Sequence, residues 1–265
     1  MLIVERQERV LELLRRRKAA QLEELARHMN VSASTIRRDL DALARRGLVR
    51  RTHGGALIEP NPAGSVNAEV ALNQRMLERA DEKQSIGAAA ASLVRPQMTL
   101  FLDGGSTVVY AARQIAVRPI QVVTNSLAIG HLFADDVQVE VLLVGGDLYP
   151  RTGVCVGPVA TGTLADLHAD LCLFSLAGIY GNEAFNTNMA MAQVEQVMMQ
   201  QAASSVLLMD SSKFGRKSLA RVCSLQEVDQ IISDDAIGLQ WQQQLGRRLL
   251  VAAKLPTGQL KEPIP

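Results

Sequence analysis

Two sets of side chains in this sequence suit chemistry with anions. The first is Ser32, Ser34, Thr35, Arg37 and Arg38, all within VSASTIRRDL, residues 31–40. An arginine fork binds a guanine edge bidentately or clamps a phosphate, and hydroxyls add donors. The second set is scattered: Asp103-Gly104-Gly105-Ser106-Thr107, Thr124-Asn125-Ser126, Gly145-Gly146 and Lys213. Glycines let backbone N–H groups approach a phosphate, hydroxyls donate to it, and lysine supplies a point charge. Asp103 suits sugar hydroxyls better. A lone Gly-Gly-Ser-Thr after a strand is ordinary turn chemistry, so the clusters carry meaning only if a fold brings them to one side.

The elements that must position the first set are short helices. Ile36, Leu40 and Leu43 recur at helical spacing, which turns Arg37 and Arg38 outward, with Ser32 at the N-cap and Gly47 at the stop. IVERQERVLELLRRR and QLEELARHM give two earlier helices, and NVS is a tight turn. LVRRTHGGALI has apolar ends around His53-Gly54-Gly55 and suits a hairpin. Helix, turn, helix and hairpin form a winged helix-turn-helix, in which the second helix of the motif enters a major groove. Arg50, Arg51 and His53 on the wing would follow the DNA backbone, and Asp39 and Asp41 would orient arginines.

The second set sits in a different texture. Residues 59–68, EPNPAGSVNA, read as a linker. Beyond them, strands MTLFLD, IQVVTN, VEVLLVGGD, ADLCLFSLAGI, SVLLMD and VDQIISD alternate with helical patterns, including EKQSIGAAAASLVRP, AQVEQVMMQQAA and a last helix around Trp241. Fully apolar strands in strand–helix units imply an α/β fold, Rossmann-like, with a parallel sheet covered on both faces. Ligands of such sheets bind outside the carboxyl ends of the strands, where the second set falls. The domain plan is 1–58, a linker at 59–68, a body at 69–250 and a loose tail at 251–265.

Composition agrees with a head and a body of different tasks. Residues 1–60 hold 13 Lys+Arg against 8 Asp+Glu, whereas the rest holds 15 against 19. A basic module on a slightly acidic body suits a polyanion partner for the module alone. With no apolar run approaching ~18 residues, neither a membrane span nor a membrane partner is expected, and the apolar start is too short for a signal peptide. Cys155, Cys172 and Cys223 are odd in number and widely spaced, as buried thiols of a cytoplasmic protein would be. His28, His53, His131 and His168 have no metal-binding spacing, so no metal or cofactor is expected. Ser211-Ser212-Lys213 fits phosphate binding more simply than serine–lysine catalysis, and Met189, Met191, Met198, Met199 and Met209 read as core filling, with helix 189–203 a possible subunit contact.

ELARHMNVSASTIRRDLDALARRGLVRRTHGGA resembles the N-terminal signature of the deoxyribose-operon repressor (DeoR) family of bacterial transcription regulators. FLDGGST, VVTNS, LLVGG, VGP, AGI and DSSKFGR resemble its sensor domain, so the likeness spans about residues 3–235. The resemblance implies a winged helix-turn-helix joined to a sensor domain similar in fold to sugar-phosphate isomerases. It implies a repressor of a carbohydrate-metabolism operon, acting on double-stranded operator DNA as a homo-oligomer, tuned by a phosphorylated sugar and without enzyme activity. The alternative is a sugar-phosphate isomerase fused to a DNA-binding domain, with Asp103 as general base. One segment departs from the family: Ala190 and Met191 stand at its acidic positions and Glu195 at its lysine, with Asn186 and Asn188 nearby.

Overall fold

The computed structural model describes residues 3–17, 19–45, 49–52, 54–58 and 68–255. His53, the Gly47 stop, the linker residues 59–67, residues 256–265 of the tail and the side chain of Arg50 lie outside them. The chain divides into two compact units, Met1–Asn67 and Ala68–Pro265.

The first unit contains α1 (Ile3–Arg17), β1 (Ala19–Gln21), α2 (Leu22–Met29), α3 (Ala33–Arg45), β2 (Val49–Thr52) and β3 (Gly55–Ile58). Val10 and Leu14 of α1, Leu25 of α2 and Ile36, Leu40 and Leu43 of α3 meet in one core and are wholly buried. Asn30 ends α2 at φ 52°, a left-handed conformation asparagine tolerates, and so makes the turn into α3. The wing has three antiparallel strands in the order β1-β3-β2. The sequence reading contained no β1, because three residues carry no periodicity and only pairing with β3 makes them a strand. That pairing explains Gly55: a Cβ there would collide with the Ala20 carbonyl oxygen and lie 2.8 Å from the Gln21 Cα. Gly55→Ala is therefore expected to cost about 2 kcal/mol or more of this unit's stability, seen as a lower melting temperature, with Gly54→Ala, whose Cβ meets nothing within 4 Å, as the control.

The second unit begins with α4 (Ala68–Leu77), α5 (Ala80–Ala91), β4 (Thr99–Leu102), α6 (Ser106–Ala112), β5 (Ile120–Thr124), α7 (Leu127–Phe133) and β6 (Val139–Leu143). It continues with β7 (Asp147–Tyr149), β8 (Val154–Val156), α8 (Pro158–Ala165), β9 (Leu171–Phe174), β10 (Gly178–Tyr180) and β11 (Glu183–Asn186). It closes with α9 (Met189–Gln200), β12 (Ser205–Leu208), β13 (Ala220–Ser224), β14 (Gln230–Ser233), α10 (Leu239–Leu245) and β15 (Leu249–Val251). Seven strands form one parallel sheet in the order β15-β14-β12-β9-β4-β5-β6.

Strand alternation builds two cores. Phe101, Cys172, Phe174 and Leu207 point to the face covered by α8, α9 and α10. Leu100, Leu102, Leu171, Leu173, Val206 and Leu208 point to the face covered by α5, α6 and α7. The chain runs outward from β4 through β5 to β6, then resumes on the other side of β4 with β9, so the switch point lies between β4 and β9.

Several expectations are corrected. ADLCLFSLAGI is not one strand: it splits after Phe174, and Gly178–Tyr180 joins a separate antiparallel sheet, β10-β11-β13. The tail does not begin at 251, because Val251 pairs in the sheet and Ala252 is buried. Cys155, Cys172 and Cys223 are free and buried, and burial pushes the Cys223 thiol up to about 12. No helix among the described residues is long and apolar enough to cross a membrane, and no three or more His, Cys, Asp and Glu among them cluster as a metal site would.

Candidate functional site

In the first unit α3 presents the polar face. Ser32 accepts a hydrogen bond from the Thr35 N–H at 3.2 Å and shares its hydroxyl with Ser34 and Thr35 at 2.8 Å each. Arg37 and Arg38 are exposed, and no described residue pairs with either guanidinium. The two aspartates have partners elsewhere. Asp39 is buried and takes Arg6 Nε of α1 at 2.6 Å, with Gln7 at 3.2 Å, and it raises the Arg6 pKa mainly through that hydrogen bond. This pair fixes the rotation of α3 against α1. Asp41 pairs with Arg51 of the wing, tying β2 to α3. Neither carboxylate is left unpaired beside the free arginines, where it would repel a phosphate.

In the second unit a cavity of about 440 Å³ opens outside the carboxyl ends of β4, β9 and β12, at the switch point. Ser106, Ala177, Asp210, Ser212, Lys213 and Arg216 line it from the sheet side. Arg75, Glu78, Arg79 and Lys83 close it from the α4–α5 side. Arg79, at φ 50°, makes the bend between those helices. Lys213 Nζ donates to the Leu176 carbonyl at 2.9 Å and to Ser175 Oγ at 3.3 Å, and lies 4.0 Å from Asp210. Burial lowers its pKa to about 8, Asp210 opposing the shift and Arg75 adding to it. Lys83 donates to the carbonyls of Arg75 and Glu78 and so holds the end of α4. Burial lowers its pKa as well.

The candidate residues of the second set divide in the fold. Ser106 and Lys213 line the cavity. Asp103 lies beneath it, 2% exposed, its carboxylate accepting from the Gly105 N–H at 3.1 Å and the Ser175 N–H at 3.4 Å. Burial raises its pKa against those backbone bonds. Gly104 and Gly105 are closed by neighbours: a Cβ on Gly104 would collide with Val154 Cγ1, and one on Gly105 would lie 2.8 Å from Ser175 Cβ. Thr107 is wholly buried.

Thr124, Asn125 and Ser126 are spent internally, on the Leu102 carbonyl, the Cys155 carbonyl and the cap of α7. Gly145 and Gly146 are exposed and do not line the cavity. Arg75, Arg79, Lys83 and Arg216 were missed: Arg75 lies in AEVALNQRML, which has little periodicity and suggested no element, and Lys83 and Arg216 lie in segments that were read for their helix and motif rather than for these charges. The charge-dense run QRMLERADEK just after the linker was the available signal.

Glu195 of α9 lies in the core rather than in the cavity. It is 1% exposed and accepts a hydrogen bond from Asn186, while its Oε2 has no partner among the described residues. Burial, with the nearby Asp103 charge, holds its pKa well above the ordinary 4.5. A raised carboxyl pKa gives stability that is complete below 4.5 and is lost as pH rises. Glu195→Gln cannot ionise. Its stability, followed by melting temperature, should match wild type at and below about pH 4.5 and exceed it increasingly toward pH 8, the free-energy gain growing by up to about 1.4 kcal/mol per pH unit until the folded pKa is passed.

A head of this kind on a body of this kind makes the chain a DNA-binding transcription regulator. It belongs to the DeoR family: residues 6–60 match the DeoR-like helix-turn-helix domain and residues 78–235 the DeoR C terminal sensor domain. It is 34% identical over 241 residues to the HTH-type transcriptional regulator GlpR of Haloferax volcanii, covering 89% of this chain and 92% of that one. It is 34% identical to the L-fucose operon activator of Escherichia coli K12, covering 87% and 94%. The HTH-type transcriptional repressor CsqR of the same organism is 30% identical, covering 87% of each. Among solved structures, ribose 5-phosphate isomerase A from Methanocaldococcus jannaschii gives a TM-score of 0.38 at 16% identity, covering 52% of this chain and 55% of that one, a likeness too slight to bear on activity.

Proposed function

We propose that this regulator represses a carbohydrate-metabolism operon in the cytoplasm and is released by a phosphorylated sugar held in the switch-point cavity, without catalysing a reaction. One observation carries the reading: five basic residues, Arg75, Arg79, Lys83, Lys213 and Arg216, converge on one cavity at the carboxyl ends of the sheet. Ser106 and Ser212 add hydroxyls there. The relatives' named roles at sugar operons support a carbohydrate ligand. Asp103 supports the absence of isomerase chemistry, since a general base must reach the substrate and this carboxylate is held under Gly105 and Ser175.

In this reading Ser32, Ser34, Thr35, Arg37 and Arg38 meet the major groove, and Arg51 of the wing meets the backbone, together with Arg50 and His53. Sugar binding changes DNA affinity only through contacts that differ between states. Helix α4 supplies them: its Arg75 lines the cavity, and it is the first described element of the second unit. The reading is tested by a gel shift on the DNA upstream of the protein's own gene, with hexose and pentose phosphates and the unphosphorylated sugars. A complex dissolved by one phosphorylated sugar alone supports it; a complex indifferent to all of them contradicts it.

One recognition helix reads too few base pairs to be selective, and symmetric dimers on paired half-sites solve that problem. The full chain is therefore expected to be a dimer or larger. Light scattering at micromolar concentration checks this, and a monomer there contradicts it.

A further inference from the structure

Resting on the proposal that the cavity holds a phosphorylated sugar, we infer that its ligand carries two separate anionic groups, a phosphate and a second phosphate or a carboxylate. The cavity lining has five basic residues and two acidic ones, Glu78 and Asp210, an excess of three positive charges. A single phosphate offers at most about two negative charges.

The charges also lie at two depths. Lys213 is deep, its side chain 14% exposed, beside Ser106 and Ser212. Arg79, its side chain 44% exposed, stands at the rim with Arg75 and the exposed Arg216. Glu82, outside the lining, pairs with Arg79 and lowers the excess to about two, so the second anion follows from where the unpaired guanidiniums stand. Arg79 is held by Glu82 at 2.9 Å and by Asp210 at 3.8 Å, and Lys83 is engaged by backbone carbonyls. The guanidiniums of Arg75 and Arg216, which line the cavity, have no hydrogen-bonding or ionic partner among the described residues. One phosphate satisfies the deep group and leaves the rim guanidiniums facing solvent. A second anion at the other end of the sugar engages them, and a bidentate guanidinium suits either phosphate or carboxylate.

The test is calorimetry on the full chain at physiological salt with four probes: glucose 6-phosphate, fructose 1,6-bisphosphate, 6-phosphogluconate and glucose. At least one of the two doubly anionic probes should bind tenfold or more tighter than glucose 6-phosphate, and which one does so separates phosphate from carboxylate at the rim. Arg216→Gln, with an unchanged melting temperature, should shrink that ratio at least threefold. Glucose 6-phosphate binding as tightly as both doubly anionic probes would overturn this inference and leave the phosphosugar reading standing. Binding no tighter than glucose by all three phosphorylated probes would overturn both.

Discussion

Replacing Arg37 and Arg38 together by alanine is expected to weaken operator binding by roughly 2–4 kcal/mol, since a lost base or phosphate contact costs about 1–3 kcal/mol and neighbouring contacts add incompletely. Fold stability should stay within about 0.5 kcal/mol, because both side chains are exposed and unpaired among the described residues. The single variants separate the two kinds of contact. Losing a phosphate contact lowers the salt slope of log K by about 1 and weakens all sequences alike, whereas losing a base contact relaxes the preference at one position. Binding isotherms at several salt concentrations check this. Unchanged affinity in the double variant would remove α3 from the interface.

The second large effect concerns Lys213. Its ammonium titrates at about 8, so it is charged below that pH and increasingly neutral above it. Affinity for a phosphorylated sugar should therefore fall as pH rises from 7 to 9, with proton uptake on binding near pH 8 because the anion favours the charged form. Lys213→Met should weaken the ligand roughly ten- to a hundredfold, as expected for a charged hydrogen bond of about 1.5–3 kcal/mol, and should flatten the pH profile. Calorimetry in buffers of different ionisation enthalpy measures both. A variant that kept the wild-type pH profile would assign the titration to another group.

Legibility differed by length scale. The helices of the head were readable because Ile36, Leu40 and Leu43 are a local pattern, and six of the seven strands of the parallel sheet because they are runs of apolar residues; the seventh, β15, has only three residues and was not read. β1, β7, β8 and β10 are three residues each, too short to show an alternation; β1 pairs only with the distant β3, whereas β7 with β8 and β10 with β11 pair locally.

The cavity was half legible. Lys213 and Ser106 follow strands, and the rule that ligands sit at strand ends finds them. Thr124, Asn125 and Ser126 follow a strand as well, but the Leu102 and Cys155 carbonyls claim their polar groups, which no local pattern shows. Arg75 and Arg79 reach the cavity because α4 and α5 fold over the sheet end, a tertiary fact without sequence periodicity. Glu195, in the segment that departs from the family pattern, is a buried acid held by Asn186.

The central claim is that an anionic sugar in the body controls DNA reading by the head. Its most direct test is fluorescence anisotropy of operator DNA with wild type and Lys213→Met, each with and without a saturating phosphorylated sugar. The account predicts equal operator affinity for the two proteins without sugar, at least a tenfold weakening of wild type with sugar, and little change in the variant at the same concentration. Wild-type affinity that ignores every phosphorylated sugar, or a Lys213→Met protein that responds like wild type, would contradict it.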